Sequence, residues 1–363
     1  MSIDNFSRIA AGMDAGIAQL VACHLRFRDI NSLLATCRSL QAATGIGINL
    51  VSSSHHAQWV LQFAARWVPH RFTVLALKVI NCSQAEFNEL IRALPGLQEL
   101  HCDSSSEDRI TSLNTETALA LKILRLHRLA GFSVAGLVQC PQLTSLVIHT
   151  RTEARRGSSD GRPVADLPSD LPSLRDRSLA SLHIREGGVA AVEGLRAWTA
   201  AGPYRSPLAV SLASLHLTTL RELEDEHLPM FAAFRQLRDL NLALCKRITC
   251  VRPLGHCSAL CCLMLTGCEA LTDLVGLSEC PHLSTLYLTG CRALVDVTPL
   301  VHCVSLCTLH LNRCMNVVDA GELRHCPSLQ YLNLRWAGVT VVPQRSGLRV
   351  EFDNVHETRV GVM

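Results

Sequence analysis

A period of 23 residues constrains this chain more than any other feature of it. Between Leu237 and Val342, units begin at Leu237, Leu260, Leu283 and Leu306, each 23 residues after the last, and a fifth begins at Leu329. One unit shows the pattern: Leu283, Leu286 and Leu288, then Cys291, Leu294, Val297, Leu300 and Cys303, before Leu306 starts the next. Leu286 and Leu288 alternate as in a strand with one buried face, so the residues flanking Leu288 face away from the core. So short a unit cannot bury its apolar set alone. Neighbours must stack and share a continuous core, which makes the product a curved solenoid. The expected class is α/β, with a parallel sheet on the concave face and short helices, 3₁₀ turns and loops on the convex face. Cys245, Cys268, Cys291 and Cys314 recur where a small polar side chain can turn inward and bond loop backbone that would otherwise be unsatisfied.

The order L-x-x-L-x-L-x-x-C-x-x-L-x-x-V-x-x-L-x-x-C resembles the leucine-rich repeat, whose ladder position usually carries Asn or Cys. The stretch Leu294-Val295-Asp296-Val297-Thr298-Pro299-Leu300 is similar to the short repeats of internalin-like proteins. Cys280-Pro281-His282-Leu283 and Cys326-Pro327-Ser328-Leu329 resemble the cysteine-containing repeats of F-box receptors.

At 363 residues the chain exceeds an ordinary compact core, but a repeat array grows in one dimension and escapes that limit. Length therefore does not imply two globular domains. A formal charge of +3, with no Lys/Arg run longer than Arg155-Arg156, gives no argument for nucleic acid. Many of the 17 cysteines fall at repeat positions suited to a buried thiol, and no secretory signal is visible. The apolar run Ile17 to Cys23 is interrupted by Gln19 and is too short for a membrane span. The expected setting is intracellular and reducing, cytoplasmic or nuclear, with no membrane contact.

Residues 1–70 follow a different rule. Ile17, Leu20, Val21 and Leu25 recur at helical spacing, and Asp29 is placed to cap a second segment carrying Ile30, Leu33, Leu34, Cys37 and Leu40. Trp59, Val60, Phe63, Ala64, Trp67 and Val68 form a third stripe that ends at Pro69. The segment reads as a helical cap over the open end of the array. The order Leu20-Val21, Leu25, Arg28-Asp29-Ile30, Leu33-Leu34 and Thr36-Cys37-Arg38 also resembles an F-box. That resemblance implies docking of an adaptor of a cullin-RING ubiquitin ligase through Leu20, Leu25, Asp29, Ile30, Leu33 and Leu34. Cap and docking module both remain open at this point.

The solenoid is expected over 71–347, with looser units starting at Phe72, Leu97, Leu121, Leu143, Leu179 and Leu212, about eleven rungs in all. Gln84 to Leu94 is a candidate convex helix, whereas the 23-residue units have room mainly for turns and short 3₁₀ segments. Residues 151–178, rich in Arg, Asp, Ser, Gly and Pro, are expected to form an exposed insertion, with Ser158 and Ser159 open to a regulatory role. A smaller excursion is expected from Gly194 to Ser211. In the terminal stretch 348–363, Leu348, Val350 and Phe352 alternate as a capping strand.

Catalytic chemistry is not legible. His256-Cys257, His302-Cys303 and His325-Cys326 repeat at one place in the unit, so the Cys should point inward and its His outward, a poor pair for one metal. No C-x-x-C spacing, Gly-rich phosphate loop, nucleophile elbow or paired-carboxylate motif stands out, and no cofactor or metal is expected. A thiol- or metal-dependent enzyme is the remaining catalytic alternative. Binding has a clearer address. The central row of outward positions is Asn241, Met264, Tyr287, His310 and Asn333. Beside it run Asp239, Cys262, Thr285, Thr308 and Tyr331 on one side, and Ala243, Thr266, Thr289, Asn312 and Arg335 on the other. Tyr287, His310, Tyr331, Arg335 and Trp336 are the expected anchors for a partner protein, because amphipathic aromatics and Arg dominate interface energetics.

Overall fold

The computed structural model describes residues 46–53, 72–103, 110–113, 119–127, 132–149, 170–186, 189–199 and 206–352, besides the isolated positions 61 and 65. The chain divides into two compact units, Met1–His149 and Thr150–Met363. The adaptor-docking candidates Leu20, Leu25, Asp29, Ile30, Leu33 and Leu34 lie outside the described residues, as do Ser158 and Ser159.

The first unit is a parallel sheet of β1 (Ile46–Ser53), β2 (Phe72–Ile80), β3 (Glu99–Asp103), β4 (Ile123–His127) and β5 (Ser145–His149), paired in chain order. Alternation fills its core: Leu100 and Cys102, Leu124 and Leu126, and Leu146 and Ile148 are buried between outward neighbours. Helix α1 (Gln84–Ala93) starts where Ser83 and Glu86 cap each other's backbone, and it buries Phe87, Leu90 and Ile91. Two expectations are corrected here. Ile46–Ser53, placed within the helical segment 1–70, is a strand; its Ile46, Ile48 and Leu50 have the period of two that the helical stripes on either side obscured. The unit start at Phe72 moves to Val74, because Ala76 pairs with Glu99 and every other unit starts two residues before its equivalent of Glu99. The extra residues of β2 serve its pairing with β1.

The first described element of the second unit is a 3₁₀ segment, Leu171–Asp176, followed by β6 (Ser181–Arg185), α2 (Val189–Thr199), α3 (Pro207–Ser211) and β7 (Ser214–Thr218). The regular rungs are β8 (Asp239–Asn241), β9 (Cys262–Met264), β10 (Thr285–Tyr287), β11 (Thr308–His310) and β12 (Tyr331–Asn333), closed by β13 (Arg349–Glu351). All eight strands pair in parallel with no register shift. Between the regular strands the chain returns through 3₁₀ segments at Arg252–His256, Leu277–Glu279, Thr298–His302 and Gly321–His325. A unit of 23 residues holds a three-residue strand and two turns, which leaves this short return and no more.

The expected exposed insertion 151–178 does not extend over its last part, because Leu171 and Leu174 are fully buried and act as the apolar positions of the rung that β6 completes. The excursion expected from Gly194 to Ser211 is likewise largely packed structure. Ala191, Val192, Leu195 and Trp198 line one face of α2, and Leu208 and Ala209 of α3 are buried. At the far end β13 forms as the alternation predicts, but Phe352 beyond it is exposed. Arg345 holds that end closed: its guanidinium donates to the carbonyls of Cys326, Pro327 (3.1 Å) and Leu329 (3.2 Å), at Pro327 taking the place that Ser305 and Ser328 of the following rung take at Pro281 and Val304.

The four ladder cysteines make one repeated hydrogen bond. The Sγ of Cys245 donates to the Leu217 carbonyl, Cys268 to Leu242, Cys291 to Leu265 and Cys314 to Leu288, at 3.0–3.3 Å. Each thiol therefore donates to a carbonyl one rung back; at Leu242, Leu265 and Leu288 that oxygen also accepts the backbone N–H of the ladder cysteine of its own rung, so the thiol takes up its second lone pair. A second column, Cys280 to Leu254 and Cys326 to Leu300, does the same behind the 3₁₀ segments. Burial pushes the thiol pKa of Cys245 up to about 12 and that of Cys314 to about 11. Both groups stay protonated as donors across the ordinary pH range.

Candidate binding surface

The register of the second unit turns the outward residues into straight rows. Asn241 pairs with Met264, Met264 with Tyr287, Tyr287 with His310 and His310 with Asn333, and the row continues to Glu351 at one end and to His216 and His183 at the other. Asp239, Cys262, Thr285, Thr308, Tyr331 and Arg349 form the row beside it. The side chains from Asn241 to Asn333 are half-buried, since each is flanked by buried leucines and shielded by its neighbours in the row.

Rings collect on β10 to β12. Tyr287 and His310 stack with centroids 4.5 Å apart and planes 14° off parallel, and His310 meets Tyr331 across the rows at 5.3 Å. The Arg349 guanidinium lies 5.8 Å from the Tyr331 ring centroid and donates to Glu351 at 2.8 Å. The Tyr331 hydroxyl donates to the same carboxylate, and this bond holds Glu351 below the usual carboxylate range. Asn241 and Asn333 point back to their own strands, accepting from the backbone N–H of Ala243 (2.9 Å) and Arg335 (3.0 Å). They shape the turn leaving the sheet. Of the expected anchors, the structure brings Tyr287, His310 and Tyr331 into one cluster, with Arg335 at its edge. Trp336 lies in the turn after β12, with the Arg313 guanidinium 5.0 Å from its ring centroid. Asn241 and Met264 continue the row without joining the ring cluster.

No family model matches the chain, and no curated protein matches it in sequence. Solved structures do. Over 79% of this chain and 81% of the other, the fold is similar to an internalin, InlF, of Listeria monocytogenes, at 16% identity and a TM-score of 0.51. It is also similar to a chain of the mouse RP105/MD-1 complex, at 15% identity and a TM-score of 0.51, covering 82% of this chain and 51% of that one. This chain is a leucine-rich-repeat solenoid. The strand rows just described are its concave face, and the 3₁₀ returns its convex side.

On the convex side of the solenoid Cys257, Cys303 and Cys326 are buried while His256, His302 and His325 are exposed, so each adjacent pair points to opposite sides of the wall. The described cysteines are free thiols, and among the described residues no group of three or more His, Cys, Asp or Glu gathers as a metal site. No described helix is long and apolar enough to cross a membrane.

Four concave residues escaped the sequence reading. His183 and His216 occupy the central row on β6 and β7, their rings stacked at 3.8 Å and 11°. The signal was present, because Leu182-His183-Ile184 and Leu215-His216-Leu217 have the form of Leu286-Tyr287-Leu288. Irregular spacing before Leu237 hid the continuity. Arg349 and Glu351 were read only as part of a cap.

Desolvation lowers the pKa of His216 and of His310 below the ordinary imidazole value, partly offset by Asp239 and Glu351 respectively. With the folded pKa depressed, the unfolded chain binds more protons as the pH falls through the ordinary value. The stability contribution is complete above that value and is lost as the pH drops towards the folded one. The melting temperature should therefore fall on going from about pH 7.5 to about pH 5.5, a range in which most carboxylates stay ionised. In a His216→Gln/His310→Gln variant the fall should be smaller; equal slopes would show that these imidazoles do not contribute to it.

Proposed function

We propose that this protein is a non-catalytic interaction scaffold that binds a partner protein on the concave face of its C-terminal repeats. The observation that carries the reading is the cluster of Tyr287, His310 and Tyr331, three ring side chains on adjacent strands whose register is fixed along the whole unit. Such a surface is ordered before it binds, so little side-chain freedom remains to be lost. The mouse RP105 chain with the similar fold is seen in complex with another protein, MD-1, which supports a protein partner here. An intracellular, reducing location is part of the same reading, in keeping with a wall of free thiols.

The finer form of the proposal makes the protein a substrate receptor of a cullin-RING ubiquitin ligase. Its support is the F-box-like order of residues from Leu20 to Arg38, through which Leu20, Leu25, Asp29, Ile30, Leu33 and Leu34 would hold the adaptor while the repeats hold the substrate.

One affinity-capture experiment tests both levels, with the full chain, a Tyr287→Ala/Arg335→Ala variant, and a chain lacking residues 1–44, which keeps β1. Two anchors of about 2 kcal/mol each should, on removal, reduce partner capture by about a hundredfold or more, with little change in melting because neither side chain belongs to the core. The shortened chain should keep its partner and lose the adaptor. Undiminished capture by the double variant would refute the concave assignment, and no adaptor or cullin on the full chain would refute the receptor reading.

A further inference from the structure

Charge is distributed unevenly over the concave face. Among the described residues of β10 to β13 and of the turns that leave β11 and β12, the outward side chains include three guanidinium groups, Arg313, Arg335 and Arg349, and one carboxylate, Glu351. That carboxylate is already engaged: it accepts from Arg349 and from the Tyr331 hydroxyl, and it interacts electrostatically with Arg335. The described part of the patch thus has a net charge of +2, three positive groups less one negative, in a chain whose formal total is +3; Asp353, next but one after Glu351, lies outside the described residues. The opposite, convex side of these rungs and of the one before them presents Asp273, Asp296 and Asp319, whose carboxylates accept from the backbone N–H of Val275, Thr298 and Gly321.

A second observation concerns the backbone. One position per rung, immediately before the ladder cysteine or its equivalent, lies in the left-handed region: Leu244, Gly267, Gly290, Arg313 and Trp336, with φ between 54° and 72°. Glycine adopts this conformation freely, whereas any other residue is strained by about 1–2 kcal/mol. Leu244 has a packing reason, since it lies over Gly267, where a Cβ would fall 2.6 Å from its Cδ2. Arg313 and Trp336 are exposed, so no burial offsets their strain, yet they stack on each other at the rim of the cluster. The turn demands this conformation on one rung after another, Thr219 included, and so it fixes where the Arg313 and Trp336 side chains stand beside the cluster. Stacking also uses only the flat face of a guanidinium, leaving its in-plane fork oriented for a carboxylate.

We infer that the segment of the partner lying across β10 to β13 is an acidic, extended stretch of polypeptide whose carboxylates seat against Arg313, Arg335 and Arg349, with its apolar groups on Tyr287, His310 and Trp336. Adjacent strands are about 4.8 Å apart, so crossing from β10 to β13 takes about 14 Å, or four to five extended residues. The inference rests on the proposed partner-binding role of this face and adds the chemistry of what is bound.

The test uses the full chain and fluorescence anisotropy with short labelled peptides of alternating Glu and Ser, Gln and Ser, or Lys and Ser, beside a labelled oligothymidine. The Glu peptide should bind, at least about tenfold more tightly than the Gln peptide, and should weaken with added salt. An Arg313→Gln/Arg335→Gln/Arg349→Gln variant with an unchanged melting temperature should lose that preference. Equal binding of the Glu and Gln peptides, tighter binding of oligothymidine, no binding of the Glu peptide, or a preference that survives the triple variant would each overturn the inference. The partner-binding role itself is judged separately, by whether Tyr287→Ala/Arg335→Ala abolishes capture; an aromatic, uncharged partner would keep that result and fail this one.

Discussion

Trp198→Ala is expected to destabilise the second unit by about 3–5 kcal/mol, which for a body of this size lowers the melting temperature by roughly 6–20 °C. Trp198 is among the largest fully buried side chains and belongs to α2, the helix that fills the longest gap between strands of the unit. Its indole Nε1 donates to the Leu171 carbonyl at 2.8 Å, so one side chain closes both the apolar contact and the end of the Leu171–Asp176 segment. The alanine variant would leave a cavity and lose this hydrogen bond together. Trp198→Phe separates the two: it keeps most of the volume and removes the donor, and should cost about 1–3 kcal/mol. Urea unfolding followed by far-ultraviolet circular dichroism measures both. A loss under 1 kcal/mol for the alanine variant, far below the expected range, would mean that α2 is not a structural part of the rung.

Gly276→Ala should be nearly as damaging, for a different reason. Gly276 has φ +99°, and a Cβ built there would lie 2.7 Å from the Arg252 carbonyl oxygen and 2.8 Å from the Arg252 Cα, both backbone atoms of the preceding rung. Neighbouring units place Pro253 and Pro299 at the equivalent position, so this rung alone takes a turn that only glycine fits. Left-handed strain and overpacking together amount to about 2–5 kcal/mol. Gly290→Ala is the control, because Gly290 has φ +72° with nothing within 4 Å of its added Cβ, and only the conformational part, about 1 kcal/mol, should appear. Two variants of equal stability would show that rung-to-rung contact is looser at Gly276 than the distances imply.

How much could be read from the residues depends on where a position sits relative to the period. Leu263, Leu286, Leu309 and Leu332 are legible because stacking forces the same solution on each rung, and the outward row of Met264, Tyr287 and His310 then follows from alternation alone. The helix α2 was hidden by the very length that made room for it. Its apolar positions, Val192, Leu195 and Trp198, obey a helical period inside a segment that reads as an interruption of another. Leu171 and Leu174 were overlooked because the Ser- and Pro-rich residues before them set the character of the whole stretch. At the candidate site, the stacking of Tyr287 on His310 follows from register, whereas the links from Tyr331 to Arg349 and Glu351 depend on how the last strand docks. That docking is set by Arg345 and by a final step of 18 residues from Tyr331 to Arg349, five fewer than the period, for which no repeating neighbour provides a template.

The ladder thiols have a consequence for how the array comes apart. Because the Sγ of each ladder cysteine from Cys245 to Cys314 is bonded to a carbonyl of the preceding rung, a rung cannot swing away from that neighbour without baring a sulfur. The sulfurs are spaced one per turn of the array and are inert while covered, so their rates of alkylation form a graduated clock of opening, position by position along the wall. Fraying from the Arg345-clasped end would start that clock at Cys314 and work back towards Cys245, whereas opening from the side of α2 would run it the other way. The residues that satisfy the interior of the solenoid thereby also record the direction in which it unzips.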